Sequence, residues 1–344
     1  MSTPGPSARA AKRQRTEDPP DLSAAKRHDK HWCRDGSVVL HVEDTLFRVH
    51  QSTLERVSEA FKDLFAVPQP EDEALLDGCP VVRLEGDSGQ DWTSLLDAIY
   101  NSLYFVTIES QKLDASLPHI LSILRLSTKY RIVAHRRRCI HILSAYFPSN
   151  QLPRDIDIAA HPSPAQFIGV MKVARETNAL TLLPYAYLLA ASRLDEDYFY
   201  SKVSLPPMQK LDVYHGKFKL LQAQQFDMFP FVHNMETFED CEKAPKCRVY
   251  GAFTPYLKNP SVPSRILVEI PNSGIGLCDP CNKRACKIFI EGKQKTWERL
   301  PEIFGLGKDW DELRRIQDYD SASDPYVSTE YCPRKFASLT SCRS

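Results

Sequence analysis

Cysteine is the residue type in this chain best placed to do chemistry. Cys278 and Cys281 stand at C-x2-C spacing, and Cys241 and Cys247 form a wider pair upstream. Four thiolates suit a closed tetrahedral zinc site. The expected ligands are therefore Cys241, Cys247, Cys278 and Cys281, with Cys286 or His233 able to replace one of them. The wide first pair and the long stretch between the pairs weigh against the site, since buried cysteines also serve as small hydrophobes. Beyond this structural zinc, no cofactor is expected.

Other reactive groupings lead nowhere. Asp195, Glu196 and Asp197 are consecutive, so on a helix end they point apart and read as solvated charge rather than a cation site. Gly274-Ile275-Gly276 lacks the third glycine of a dinucleotide fingerprint. Neither a G-x-x-x-x-G-K-[ST] nor a G-x-S-x-G stretch occurs. Asp35 and His50 have no nucleophile beside them and read as structural. The chain is expected to be no enzyme.

Bulk properties narrow the classes further. The 344 residues allow two or three domains. A formal net charge of zero supplies no field to draw nucleic acid or a membrane surface. The longest apolar run, Leu182 to Ala191, is too short to span a bilayer. Residues 1–31 are polar and basic, with no secretory signal, and are expected to be disordered. The cysteines are thus expected as reduced thiols. Lys12 and Arg13, then Lys26, Arg27 and Lys30, have the two-cluster arrangement of a bipartite import signal. A nuclear or nucleocytoplasmic, non-secreted protein is expected.

Elements must position these residues. Val38, Leu40 and Val42 alternate, as do Thr45, Phe47 and Val49, so two half-buried strands joined at Glu43-Asp44 form a hairpin. Leu54 with Val57, then Phe61 with Leu64 and Phe65, take helical spacing, and Ser58 can cap the second helix. Pro80 to Leu84 reads as a strand, Asp91 to Leu103 as a helix and Tyr104 to Ile108 as a β-rich run. Helices follow over 117–131 and 134–147, which completes an α+β unit. Arg136, Arg137 and Arg138 read as a solvated helix face. After a linker at 149–162 the chain reads as helical, with Phe167, Val170, Met171 and Ala174 on one face. Leu211, Phe218, Leu221 and Met228 are expected on another core face.

The joint pattern resembles the BTB/POZ domain, in the form common in basidiomycete (mushroom-forming) fungi. It is carried by Asp35, the V-x-L-x-V strand, Phe47-Arg48-Val49-His50, Leu54, Ser58-x-x-Phe61-x-x-Leu64-Phe65 and Leu126-x-x-Lys129-Tyr130. The ending Trp297-x-x-Leu300-Pro301, Phe304-Gly305-Leu306 and Trp310-x-x-Leu313 is similar to the same proteins. The resemblance implies a BTB/POZ domain over 32–148, a helical companion over 149–232, a cysteine-containing helical region over 233–318 and a loose tail over 319–344. It marks Asp35, His50, Phe61, Leu64, Lys129 and Tyr130 as structural signature residues. It also implies a homodimer that binds proteins, as a scaffold or in transcriptional regulation. The alternative it offers is substrate adaptor of a cullin-type ubiquitin ligase. Cullin-binding members carry an apolar-x-Glu element in the loop after the opening helices, and here Gln69 stands two positions before Glu71.

Overall fold

A computed structural model describes residues 25–67, 75–149, 152, 162–233, 238–242 and 277–319. Its fold is mixed α+β, as expected, with helix in excess of strand. The chain divides into two compact units at Leu96–Asp97, inside a helix.

The first unit is built on the hairpin. Strands β2 (Val38–Val42) and β3 (Thr45–Val49) pair antiparallel in the register Val38 with Val49 and Val42 with Thr45. The turn places Glu43 at φ 51, a left-handed conformation that costs a residue with a Cβ. Its carboxylate is also bound: Gly89 N donates to Glu43 Oε2 at 3.0 Å. That bond lands at the start of α3 (Gly89–Tyr100), where the helix N-terminus favours negative charge. Strand β5 (Cys79–Arg83) joins β2 in parallel, and the two-residue β4 (Leu75–Leu76) closes the edge.

Residues 26–31 depart from the expected disordered tail. They belong to β1 (Lys26–Trp32), which pairs in parallel with β3 and makes the sheet order β1-β3-β2-β5-β4. The strand has no apolar run to announce it. Imidazoles take that part: His28 stacks on Phe47 at 4.9 Å and on His31 at 5.1 Å. Trp32 packs with Val81 and Leu76 against Val39, Leu46 and Cys79, so β2 is buried on both faces instead of one.

Helices α1 (Gln51–Val57) and α2 (Glu59–Ala66) follow as expected. Ser58 caps the second, accepting from Phe61 N at 3.1 Å, which is worth about 1 kcal/mol. Phe61 meets Trp92 edge-on at 5.8 Å in the core. Leu64 does not join it and is 39% exposed.

The second unit is helical. Residues 104–108, read as β-rich, lie in the short helix α4 (Tyr104–Glu109), followed by α5 (Leu113–Lys129) and α6 (Val133–Ser144). Next come α7 (Pro164–Glu176), a 3-10 turn (Leu180–Leu182) and α8 (Leu183–Arg193). Every α8 residue from Leu183 to Ala191 is buried, so the longest apolar run of the sequence is a core helix. No helix among the described residues is long and apolar enough to cross a membrane.

The remaining helices are α9 (Glu196–Ser201), α10 (Pro207–Ala223), which runs into a π turn (Gln224–Met228), and α11 (Pro230–His233). They end with α12 (Asp279–Glu298), α13 (Leu300–Ile303) and α14 (Trp310–Tyr319). Trp297 of α12 and Phe304, just after α13, carry aromatics to α8: Tyr185 meets Trp297 at 6.0 Å and Tyr187 meets Phe304 at 5.5 Å.

Helix α10 corrects the expected core face. Leu211 and Phe218 lie outside, 56% and 63% exposed, while Gln209, Val213, Gly216, Leu220 and Ala223 are buried. Both faces carry apolar residues, so period alone cannot choose between them. Shape decides: Gly216 has no Cβ where the Phe304 ring packs.

Candidate functional site

Three of the four expected zinc ligands converge. The Sγ atoms of Cys241, Cys278 and Cys281 all lie within 4.8 Å of one another. Cys241 and Cys278 are 4.0 Å apart, and none of the three forms a disulfide. Zinc–sulfur arms of about 2.3 Å at the tetrahedral angle would set neighbouring sulfurs about 3.8 Å apart. The triad therefore has nearly the spacing of one face of such a site and can hold a metal ion.

Local structure explains the convergence. Cys278 is the N-cap residue of α12 with extended backbone, and Cys281 lies one turn in, so the C-x2-C spacing turns both sulfurs to one side of the helix start. Cys241 arrives on the stretch 238–242. Arg284 of α12 fastens that stretch: its guanidinium lies 5.6 Å from the Phe238 ring centroid and 3.8 Å from Asp240 Oδ2. Cys278 and Cys281 are buried and Cys241 is half-buried.

Cys247 lies outside the described residues, as does the side chain of His233. Cys286 stands apart from the triad, its sulfur 4.0 Å from Asn282 Oδ1.

The signature residues take structural places. His50 Nε2 lies 3.2 Å from Asp35 Oδ1, so these two residues pair with each other. The Asp35 carboxyl is held below its ordinary range by a hydrogen bond from its own backbone first, then by the hydrogen bond and charge of His50. Tyr130 is buried, and Lys129 Nζ sits 5.2 Å from its ring centroid, on an exposed side chain. Helix α5 ends there in a Schellman turn, with Arg131 at φ 52 and Ile132 N donating to Ser127 O.

Of the basic clusters, Lys12 and Arg13 lie outside the described residues. Lys26, Arg27 and Lys30 are in β1, and Arg27 pairs with Asp77 at 3.0 Å. Asp195 caps α9, accepting from the N–H groups of Asp197 and Tyr198, and Glu196 pairs with Lys217 at 2.7 Å. The loop residues Gln69 and Glu71 lie outside the described residues, as does Gly274-Ile275-Gly276.

Arg136 overturns the solvated reading of the arginine run. It is 3% exposed and donates to the backbone carbonyls of Gln317, Thr177 and Asn178. The first helical turn of α6 points it inward, while Arg138 reaches Glu109 at 2.7 Å on the outside. Three consecutive arginines carry no signal of which one turns in. No family model, no curated protein and no solved structure matches the chain.

Proposed function

We propose that this chain is a protein-interaction module that acts by binding rather than catalysis, with a BTB-type unit over 32–148 that self-associates as a homodimer. Support comes from the order hairpin, helix, helix and then parallel strand, and from the Asp35–His50 pair that ties the start of β2 to the start of α1. The carrying observation is on α10. Met208, Leu211 and Phe218 form one outward stripe, 56–66% exposed, and Phe226 of the π turn is 65% exposed. Large apolar side chains gathered along one exposed helix face mark interaction surfaces.

The stripe is tested by affinity purification of the tagged full chain beside a Met208→Ser, Leu211→Ser, Phe218→Ser variant. The reading expects specific protein partners with the native chain and their loss with the variant. Identical recovery would overturn the assignment of the stripe, and a cullin among the partners would favour the ligase-adaptor alternative.

Nuclear import through Lys12, Arg13, Lys26, Arg27 and Lys30 belongs to the same proposal. Lys12→Ala, Arg13→Ala should shift the tagged protein toward the cytoplasm without touching β1. An unchanged distribution would remove the import reading. The cysteine triad supports one more element, a structural zinc ion that fastens 238–242 to the start of α12. Zinc content of protein purified without chelators tests it, at one ion per chain.

A further inference from the structure

Resting on the zinc reading, the geometry also points to how the ion would be removed. The Cys241–Cys278 separation of 4.0 Å is right for shared metal, whereas a disulfide needs about 2.05 Å. Interconversion thus takes an approach of about 2 Å. Cys278 is fixed as the cap of a 20-residue helix. Cys241 stands in no helix or strand, on a stretch whose ion pair to α12 is exposed: Arg284 and Asp240 have side chains 53% and 76% accessible. The movable partner is therefore Cys241, which is also the member of the triad that solvent reaches best.

We propose that the triad is an oxidant-labile zinc site, in which a peroxide joins Cys241 to Cys278 and expels the ion. The Cys241 thiolate attacks one peroxide oxygen, the O–O bond breaks, and Cys241 becomes a sulfenic acid as hydroxide leaves. The Cys278 thiolate, already in contact, attacks the sulfenic sulfur. The S–S bond forms as the S–O bond breaks, and a second hydroxide leaves. Two electrons pass from the two sulfurs to the peroxide, and zinc keeps its charge. With one thiolate of the triad left, Cys281, the ion departs hydrated. Residues 238–242 are then tied to α12 covalently through Cys278.

The experiment uses the full chain purified without chelators, its zinc content measured first. Hydrogen peroxide is added stepwise with a chromogenic zinc indicator, and peptides are mapped by mass spectrometry. The expected result is release of one zinc per chain in step with a Cys241–Cys278 linked peptide. Thiol reductant plus zinc should reverse it, and Cys286→Ser should behave as the native chain. Zinc that stays bound under peroxide, or leaves without that linkage, overturns the redox proposal and leaves the zinc reading standing. A chain that neither contains zinc nor takes it up overturns both.

Discussion

Arg136 and Gln317 hold each other from opposite ends of the helical unit. Arg136 Nη1 donates to the Gln317 backbone carbonyl at 3.1 Å, and Nη2 donates to Thr177 O at 3.0 Å. The Gln317 side chain in turn accepts from the N–H and hydroxyl of Thr181. One guanidinium and one amide thus join α6, α14 and the turn before α8. A planar fork can serve separate carbonyls at once, which an ammonium on a flexible stem cannot do as well.

Removing that fork should be costly. Arg136→Met leaves buried carbonyls without their donor and is expected to lower stability by about 2–4 kcal/mol. Arg136→Lys should recover only part of this. Arg137→Ala, one position along, should change stability by less than about 0.5 kcal/mol. Urea unfolding midpoints check all three, and a native-like midpoint for Arg136→Met would contradict the buried role.

Gly292 gives a second test. A Cβ there would collide with the backbone of Asp227 and Met228, which cannot rotate aside. Alanine normally gains about 1 kcal/mol over glycine inside a helix. Here the collision should win, with a net loss of about 1–3 kcal/mol. Thermal unfolding of Gly292→Ala reads the sign, and a raised midpoint would show that α12 does not pack against the π turn this closely.

Acid should act on the fold in two separate windows. His135 is half-buried against Phe105, and desolvation lowers its pKa despite the opposing contact with the Ala98 carbonyl. A histidine depressed on folding takes up protons more readily when unfolded, so stability falls as pH drops below about 6.5. His135→Leu should flatten that limb. Asp35 is also depressed on folding; its contribution is present above about pH 3.9 and lost as pH falls further. Asp35→Asn should therefore lower stability above about pH 3.9 and flatten the profile below it, where the native carboxyl is also uncharged. Denaturant midpoints across pH 3 to 8 check both, and identical profiles for the two variants would refute the separation.

What could be read in the sequence tracks how local its cause is. The hairpin, the Ser58 cap and the convergence of Cys278 with Cys281 follow from spacing along a few residues. Tyr104 to Ile108 misleads because β-branched and aromatic residues favour a pleated surface only when a neighbouring strand offers one. Here Asn101 turns the chain just before the run, accepting from Leu103 N through its side chain, and the run forms a helix. β1 was hidden because histidines supply its stacking. The inward turn of Arg136 and the outward turn of Phe218 depend on Gln317 and Phe304, far along the chain. Such contacts leave no trace in a local window.

Self-association through residues 32–148 is the central claim, and sedimentation equilibrium of the full chain at micromolar concentration tests it most directly. The account predicts a mass of twice 39.2 kDa, unchanged when zinc is chelated because the triad lies outside residues 32–148. A mass of 39.2 kDa across that range would contradict it.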